Sequence, residues 1–225
     1  SPEAAPGENV TETSLEVALA ADGRAAVRGT SRVAGERAAA YRGAYQAEEA
    51  RRATFEQAWS RTFPGLEVKR VALSDLARLE DDVSMTFELE VPRYANPDRG
   101  GLRFTPFGQS ATYAETWAPL STRHWPLFLG QPWENRFAYR HQLPPGWSAV
   151  EVPDPASLTA PFGSFEVRYR AEGGSLLAEG RVAFRRSLVP VADYPAFRDF
   201  LSRIDRAMAR TVRVAPGAGP PGGAP

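Results

Sequence analysis

Apolar and polar side chains alternate most clearly over residues 83–91, which predicts a β-strand with one buried face. The same period of two over residues 15–19 and 25–33, on either side of an Asp22-Gly23 turn, predicts a hairpin. Pro92 ends the clearest strand, since proline cannot donate a ladder hydrogen bond. The apolar positions of that strand are Val83, Met85, Phe87, Leu89 and Val91.

Residues 35–63 follow a helical period instead. Tyr41, Tyr45, Phe55 and Trp59 fall on one stripe, and the Pro64-Gly65 pair ends the pattern. We expect an interruption of the helix near Gly43, because a glycine inside a helix costs about 1 kcal/mol. Residues 10–92 are therefore predicted to run strand, strand, helix, strand, strand.

The second half of the chain combines short strands with frequent turns. Alternation over residues 137–143 predicts a strand, and two further runs around Gly173-Gly174 predict a hairpin. Apolar residues at helical spacing over residues 195–208 predict a terminal amphipathic helix. The spacing of strands and turns over residues 100–190 favours an antiparallel sandwich.

These patterns predict a β-dominated α+β protein. An antiparallel sheet with one packed helix is followed by an antiparallel β-sandwich with a C-terminal helix. Four segments are expected: a linker at residues 1–9, a strand-strand-helix-strand-strand subdomain at 10–94, a β-sandwich subdomain with the terminal helix at 95–214, and a flexible Pro/Gly/Ala linker at 215–225.

Composition narrows the functional classes. The 225 residues carry 27 basic and 27 acidic side chains, and this balance argues against a nucleic-acid partner, which normally selects a basic excess. No apolar run approaches the ~18 residues that a membrane span needs, and no signal sequence opens the chain. The sequence contains no cysteine, so it offers no disulfide, thiol nucleophile or thiolate metal site.

The search for catalytic and metal-binding motifs assigns no residue. No G-x-S-x-G motif is present, and the two histidines, His124 and His141, match no zinc spacing. His141 is in register with a strand, so we expect a hydrogen-bonded histidine in the core or at its rim, whereas His124 lies in a loop-like stretch. The acidic run at residues 80–82 is expected to form a solvated turn. The sequence does not exclude a pair of carboxylates for glycoside hydrolysis, because any two acidic residues can meet in space, but it selects no particular pair.

Clustered tryptophans are the most suggestive feature. Exposed aromatic rings stack on sugars and mark protein interfaces, while buried ones fill cores and the joints between subdomains. The sequence leaves both interpretations open. The candidate interaction surface consists of Trp117, Trp125, Trp133, Trp147 and His124.

Several short motifs together resemble a known pattern. They are Arg123, the stretch 126–130, Leu143-Pro-Pro-Gly146, the stretch 161–165 and Tyr194-Pro-Ala-Phe197. They are similar to the region that follows the catalytic core in bacterial transglutaminase-like exported proteins, and the likeness extends over roughly residues 10–213. The resemblance implies a β-rich accessory module with a periplasmic or other extracytoplasmic location.

The resemblance transfers no active site to this chain. The catalytic core of that family uses Cys, His and Asp, and a chain without cysteine cannot hold the nucleophile. We therefore expect a non-enzymatic accessory or protein-interaction module without a cofactor. Its expected partner is an adjacent transglutaminase-like domain or another envelope protein. The alternative is a carbohydrate-binding module that recognises a glycan or peptidoglycan through the clustered tryptophans.

Overall fold

The structure, a computed structural model, describes residues 6–108 and 112–217. Fourteen strands and four α-helices occur in this part of the chain, and they are numbered in chain order. The strands are β1 (Val10–Leu19), β2 (Ala25–Val33), β3 (Glu67–Leu73), β4 (Val83–Val91), β5 (Asn96–Asp98), β6 (Gly101–Phe104), β7 (Leu127–Phe128), β8 (Trp133–Gln142), β9 (Trp147–Glu151), β10 (Ala156–Ala160), β11 (Gly163–Glu172), β12 (Ser175–Phe184), β13 (Leu188–Val189) and β14 (Val212–Pro216). The helices are α1 (Glu36–Ala44), α2 (Arg51–Trp59), α3 (Tyr113–Trp117) and α4 (Tyr194–Met208).

Eight of these strands form one large sheet in the order β10-β11-β12-β8-β1-β2-β4-β3. All neighbours in it are antiparallel except β1 and β8, which run parallel with Leu15 opposite Tyr139. A smaller sheet has the order β5-β6-β14-β9, and β7 pairs with β13 separately. The strands of the predicted 10–94 and 95–214 segments thus meet in one sheet, through the β1–β8 pair.

The predicted fold class is confirmed: the protein is a β-dominated α+β protein with an antiparallel-rich sheet and a C-terminal helix. The alternating run at residues 83–91 is strand β4, and its burial alternates at every position. The amphipathic run near the C-terminus is helix α4, whose apolar face includes Phe197, Leu201 and Ile204, all fully buried.

The helical segment that follows β2 is interrupted, as the sequence predicts. Helix α1 ends at Ala44, a short 3-10 turn covers Glu48–Ala50, and α2 begins at Arg51. The Arg51 side chain spans the break, because its Nε donates a 2.8 Å hydrogen bond to the carbonyl oxygen of Tyr45. The interruption lets α2 lie on the sheet, with Phe55 and Trp59 both against Phe87 of β4 at ring-centroid distances of 4.9 and 4.8 Å.

The inner face of the large sheet is covered by helices and by the smaller sheet. Phe104 of β6 lies 5.0 Å from the ring of His141 on β8, so the two sheets pack face to face there. At the other end, Phe197 of α4 packs on Phe184 of β12 with a centroid distance of 5.8 Å. One continuous apolar cluster joins both regions, and a smaller cluster of Val33, Ala38 and Val83 includes the buried residue of α1.

The outer face of the large sheet is polar. Arg28 pairs with Glu88 across β2 and β4 at 3.8 Å, and Arg140 pairs with Glu16 across β8 and β1 at 3.7 Å. Such exposed pairs stabilise a protein by at most about 1 kcal/mol each. The contrast between the two faces explains why period-two alternation marked these strands in the sequence.

The predicted terminal linkers fall partly outside the described residues, at 1–5 and 218–225. Asn9, the last residue of the predicted N-terminal linker, is buried and bonded to the fold. Strand β14 extends to Pro216, inside the predicted C-terminal linker. None of the helices in the described ranges combines the length and the apolar character that crossing a membrane requires.

Candidate functional site

The two histidines occupy contrasting positions. His141 is completely buried on the inner face of β8, where its Nε2 lies 2.8 Å from the Tyr94 hydroxyl. Burial lowers the pKa of His141 to about 4, so its imidazole is neutral near pH 7. This is the hydrogen-bonded core histidine that the sequence predicts. His124 is exposed in the loop before β7, as its loop-like sequence predicts.

The four clustered tryptophans do not share one face. Trp125 is 79% exposed, whereas Trp133 is only 4% exposed. Trp117 is half-buried against Trp133, with ring centroids 5.6 Å apart. Trp147 is half-buried on β9 of the smaller sheet. The structure therefore brings Trp117 and Trp133 together and leaves Trp125 and Trp147 in other places.

Trp125 belongs to a group of exposed apolar side chains, which we call the apolar surface. Phe128 is 72% exposed on β7, and Leu188 is exposed directly opposite it on β13. Opposite residues of an antiparallel pair present their side chains on the same side of the ribbon, so Phe128 and Leu188 form one apolar contact area. The name covers the exposed apolar side chains in the segments that contain β7 and β13, which are Leu120, Trp125, Phe128, Leu188 and Val191.

Local geometry explains why this ribbon exposes apolar residues. The neighbouring pair, Leu127 and Val189, points to the opposite side, where Val189 is completely buried. An inward-facing pair fixes the ribbon to the core, and the period of two then turns Phe128 and Leu188 outward. A backbone hydrogen bond of 2.7 Å from Leu129 to the carbonyl oxygen of Ser187 continues the pairing.

Polar contacts border the apolar surface. The Arg123 guanidinium lies 5.8 Å from the ring centroid of Tyr194, and the Tyr194 hydroxyl donates a 2.8 Å hydrogen bond to the carbonyl oxygen of Leu120. Arg186 is within 3.9 Å of Asp193. The two contacts of Tyr194 connect the loop before β7 with the first residue of α4. An apolar centre with a polar border is the usual composition of a protein-contact surface.

A second feature is a pocket of about 370 Å³ on the inner face of the large sheet, which we call the inner pocket. Its walls are mainly aromatic and come from β8, from α3 and from the segment that follows β6. This volume is close to the lower limit of roughly 300–1,000 Å³ for small-molecule sites. The aromatic residues are Phe107, Tyr113, Trp117, Trp133, Phe137 and Tyr139.

Polar groups lie at one end of the inner pocket, where the inner face changes from apolar to polar residues along β1 and β8. The Arg37 guanidinium of α1 lies 5.0 Å from the ring centroid of Trp133, and its Nη1 donates a 3.2 Å hydrogen bond to Asn135 Oδ1. Burial raises the pKa of Tyr113 to about 12, so its hydroxyl is protonated near pH 7. Thr11 and Thr13 complete this end.

Helix α4 holds the α3 wall of the pocket. The two carboxylate oxygens of Asp205 accept hydrogen bonds of 2.8 and 2.9 Å from the backbone N–H groups of Tyr113 and Ala114. N–H groups at the start of a helix have no acceptor within the helix itself. An acceptor such as the Asp205 carboxylate therefore stabilises the short helix α3. Burial raises the pKa of Asp205 above its usual value, because the charged form loses hydration.

The acidic run at residues 80–82 forms a turn, as predicted, and two of its three carboxylates are paired. Asp81 pairs with Arg78 at 2.8 Å, and Asp82 pairs with Arg32 at 2.5 Å. Within residues 6–108 and 112–217, no three His, Asp or Glu side chains are grouped so that they could hold a metal ion. The predicted absence of enzymatic activity and of a cofactor stays a prediction.

Sequence reasoning missed several residues of both features. Phe128 and Leu188 are 60 positions apart, and only their pairing shows that they share a surface. Arg37 and Asn135 are 98 positions apart and meet only because β8 lies next to β1. No local pattern in the sequence indicated either the Phe128–Leu188 pair or the Arg37–Asn135 contact. Within β1, however, the change from Leu15 to Thr13 and Thr11 at inner-face positions marks the polar end of the pocket.

Comparisons with known proteins place the chain in a family without assigning an activity. No curated protein matches it. One similar solved structure is described as the "crystal structure of a putative protease from Parabacteroides distasonis ATCC 8503"; the match has 12% identity and a TM-score of 0.40, and it covers 48% of this chain and 22% of that chain. At this TM-score the likeness supports no statement about activity.

The family match covers the apolar surface and most of the inner pocket. Residues 102–214, half of the chain, match the model of a family described as "Domain of Unknown Function with solved-structure structure (DUF3858)". They contain strands β7 to β13 and helices α3 and α4, whereas Arg37 and Thr11 lie outside the matched range. On this match, the chain belongs to the DUF3858 family.

Proposed function

We propose that the protein is a non-catalytic accessory module of a transglutaminase-like bacterial envelope protein, and that it contacts its partner through the apolar surface. One observation carries this proposal: Trp125 and Phe128 are both more than two-thirds exposed and lie three residues apart in the chain, and Phe128 is directly opposite the exposed Leu188. Grouped exposed aromatic residues on a folded protein mark interaction sites.

The energetics favour a protein partner. Each large aromatic side chain buries about 150–250 Å² when it is covered, and tryptophan is among the residues that dominate binding energy at interfaces. The ribbon that carries Phe128 is anchored by the buried Val189, so little backbone ordering is required on binding. A rigid contact area loses less conformational entropy and therefore binds more tightly.

The resemblance in sequence motifs supports the choice of partner. The motifs include Arg123, which lies close to the apolar surface in the chain, and the stretch 126–130, which contains Phe128. The same resemblance supports an extracytoplasmic location. The proposed partner is therefore the transglutaminase-like catalytic domain of the same organism. A glycan-binding role through all four tryptophans has no comparable support, because only Trp117 and Trp133 lie together and Trp133 is buried.

Binding of this catalytic domain to the purified chain tests the proposal by isothermal titration calorimetry. We expect the Trp125→Ser/Phe128→Ser double variant to weaken binding at least tenfold, because hot-spot truncations cost about 2 kcal/mol or more. The matched control is Leu79→Ser, since Leu79 is 74% exposed but lies outside the apolar surface. Equal binding by the double variant and the wild type, or no binding by either, would overturn the proposal.

A further inference from the structure

We propose that the inner pocket binds a small organic carboxylate with an aromatic or apolar body, with Arg37 as the residue that holds the carboxylate. The proposal goes beyond the contact function of the apolar surface, and none of its residues belongs to that surface. It follows from the shape of the pocket, from the missing ion pair of Arg37, and from the buried indole N–H of Trp133, which has no hydrogen-bond partner among the described residues.

The shape of the pocket sets the body of the ligand. Six aromatic rings and the apolar side chain of Met208 line it, which suits a planar or apolar group rather than a strongly hydrated one. A few convergent polar groups at one end of an aromatic cavity are the usual arrangement of a small-molecule site. The ligand is therefore amphiphilic, with its polar end at Arg37.

Arg37 is a cation without a charged partner. Among the described residues, no carboxylate lies within 4 Å of its guanidinium, whereas most other arginines on the neighbouring strands form ion pairs. Its position is nevertheless determined, because it stacks on Trp133 and donates one N–H to Asn135. A guanidinium held in this way keeps free N–H donors in a planar arrangement that matches the two oxygens of a carboxylate.

The remaining polar groups add donors. The Nε1 of Trp133 is buried and has no hydrogen-bond partner in the described part of the chain, and an indole nitrogen can only donate. The Oγ1 of Thr11 is likewise buried, and none of the residues within 6–108 and 112–217 forms a hydrogen bond with it. Leaving a buried donor unpaired costs about 1–3 kcal/mol, so a ligand oxygen that relieves it gains affinity. Arg37 and Trp133 together therefore select an acceptor-rich group.

The charge of the pocket favours a carboxylate over a phosphate. Two cationic side chains among the described residues line the pocket, and Arg136 is already paired with Glu134 and Glu12, whereas Arg37 has no ion pair. Asp205 is engaged with the backbone of α3. Within the described lining, the unpaired guanidinium of Arg37 balances a single negative charge, whereas a phosphate dianion would leave one charge unpaired.

Binding of two matched probes to the wild-type protein tests the ligand class. We expect N-acetyl-L-phenylalanine to bind about 10- to 100-fold more tightly than its amide, because only the acid forms charge-assisted hydrogen bonds with Arg37. Calorimetry gives the affinities, and ¹H–¹⁵N spectra of the indole groups locate the site. The indole signals of Trp133 and Trp117 should shift, and that of Trp125 should not. Equal affinity for acid and amide, or no shift at Trp133, would overturn the proposal.

A variant pair tests the role of Arg37. Arg37→Gln should lower affinity for N-acetyl-L-phenylalanine at least tenfold, whereas Arg140→Gln, a matched change on the outer face, should leave it unchanged. Near-ultraviolet circular dichroism checks that both variants keep the fold. If Arg37→Gln does not fold, Arg37→Lys provides the test, since it retains the charge without the planar fork and should weaken binding several-fold. Unchanged affinity in a folded Arg37 variant contradicts the proposal.

A third comparison distinguishes the two sources of such a carboxylate. Benzoate represents a free small acid, and a tetrapeptide with C-terminal phenylalanine represents a peptide C-terminus. Tighter binding of benzoate indicates a metabolite-sized ligand. Tighter binding of the tetrapeptide, lost when its C-terminus is amidated, indicates a peptide end. Failure of both acids to bind would refute the carboxylate site, and the result for the apolar surface would be unaffected.

Discussion

The imidazole of His141 and the hydroxyl of Tyr94 form a 2.8 Å hydrogen bond in the interior of the protein, between the large and the small sheet. On the other side of the ring, Nδ1 lies 3.3 Å from the carbonyl oxygen of Leu176. A carbonyl oxygen only accepts, so Nδ1 carries the proton and Nε2 accepts from Tyr94. The neutral imidazole thus hydrogen-bonds two polar groups at once, the Tyr94 hydroxyl and the Leu176 carbonyl.

Acidification should destabilise the protein through His141. Burial lowers the pKa of His141 from 6.5 to about 4, so the unfolded chain binds a proton between these two pH values and the folded protein does not. Stability therefore falls as the pH drops from about 6.5 to about 4, by about 3 kcal/mol for this group. Urea unfolding at a series of pH values measures the loss.

The two histidines provide their own control for this prediction. His141→Gln should lower stability at pH 7 and flatten the pH dependence between 6.5 and 4. His124→Gln changes an exposed loop residue and should leave the profile unaltered. A wild-type profile that is flat across this window would show that His141 is charged or solvated in the fold.

Glu134 is the most buried carboxylate of the outer face and should contribute more to the free energy of unfolding than the exposed carboxylates around it. It is 1% exposed and pairs with Arg181 and Arg136 at 2.5 Å each, and these contacts lower the pKa of its carboxyl group. We expect Glu134→Gln to lower the free energy of unfolding by about 1–3 kcal/mol, since both arginines remain partly solvated.

An exposed ion pair serves as the comparison for Glu134. Glu16 pairs with Arg140 at 3.7 Å on the same face, and both side chains are largely solvated. Glu16→Gln should change the free energy of unfolding by less than about 0.5 kcal/mol. Chemical denaturation of both variants at pH 7 tests the ranking, and equal effects would contradict it.

Asn9 should act as an anchor between three segments. Its Nδ2 donates a 3.0 Å hydrogen bond to the carbonyl oxygen of Pro132, and its Oδ1 accepts a 2.8 Å hydrogen bond from the backbone N–H of Glu36 at the start of α1. Asn9→Ala leaves both groups without their partner and should cost about 1–3 kcal/mol. Asn9→Asp keeps the acceptor but loses the donor, so its unfolding midpoint in urea should lie between those of alanine variant and wild type.

Asp205 should determine the position of α3 and thereby the Trp117 wall of the inner pocket. Replacing Asp205 by alanine removes the acceptor for two backbone N–H groups, with an expected loss of about 1–3 kcal/mol. The near-ultraviolet circular dichroism of the tryptophans should weaken as well. Asp199→Ala, an exposed position on the same helix, should leave both the signal and the stability unchanged. Loss of stability without a change in the tryptophan signal would separate α3 from the packing of Trp117.

Local patterns in the sequence determined the individual elements of this protein. Strand β4 and helix α4 each bury one face along their whole length, so a period of two or of 3.6 residues identified them without any knowledge of their partners. The interruption between α1 and α2 was likewise predictable from Gly43, and the burial of His141 from its register with a strand.

Only the tertiary structure decided how these elements meet. The parallel pairing of β1 with β8 joins residues more than 120 positions apart, and nothing local distinguishes it from other pairings. The same holds for Arg37 against Trp133 and for Phe128 against Leu188. The sequence by itself identified the clustered tryptophans, but the fold assigned Trp133 to a pocket wall and Trp125 to the surface. Periodicity records which side of a strand is buried, whereas contacts between distant residues depend on the order of strands in the sheet.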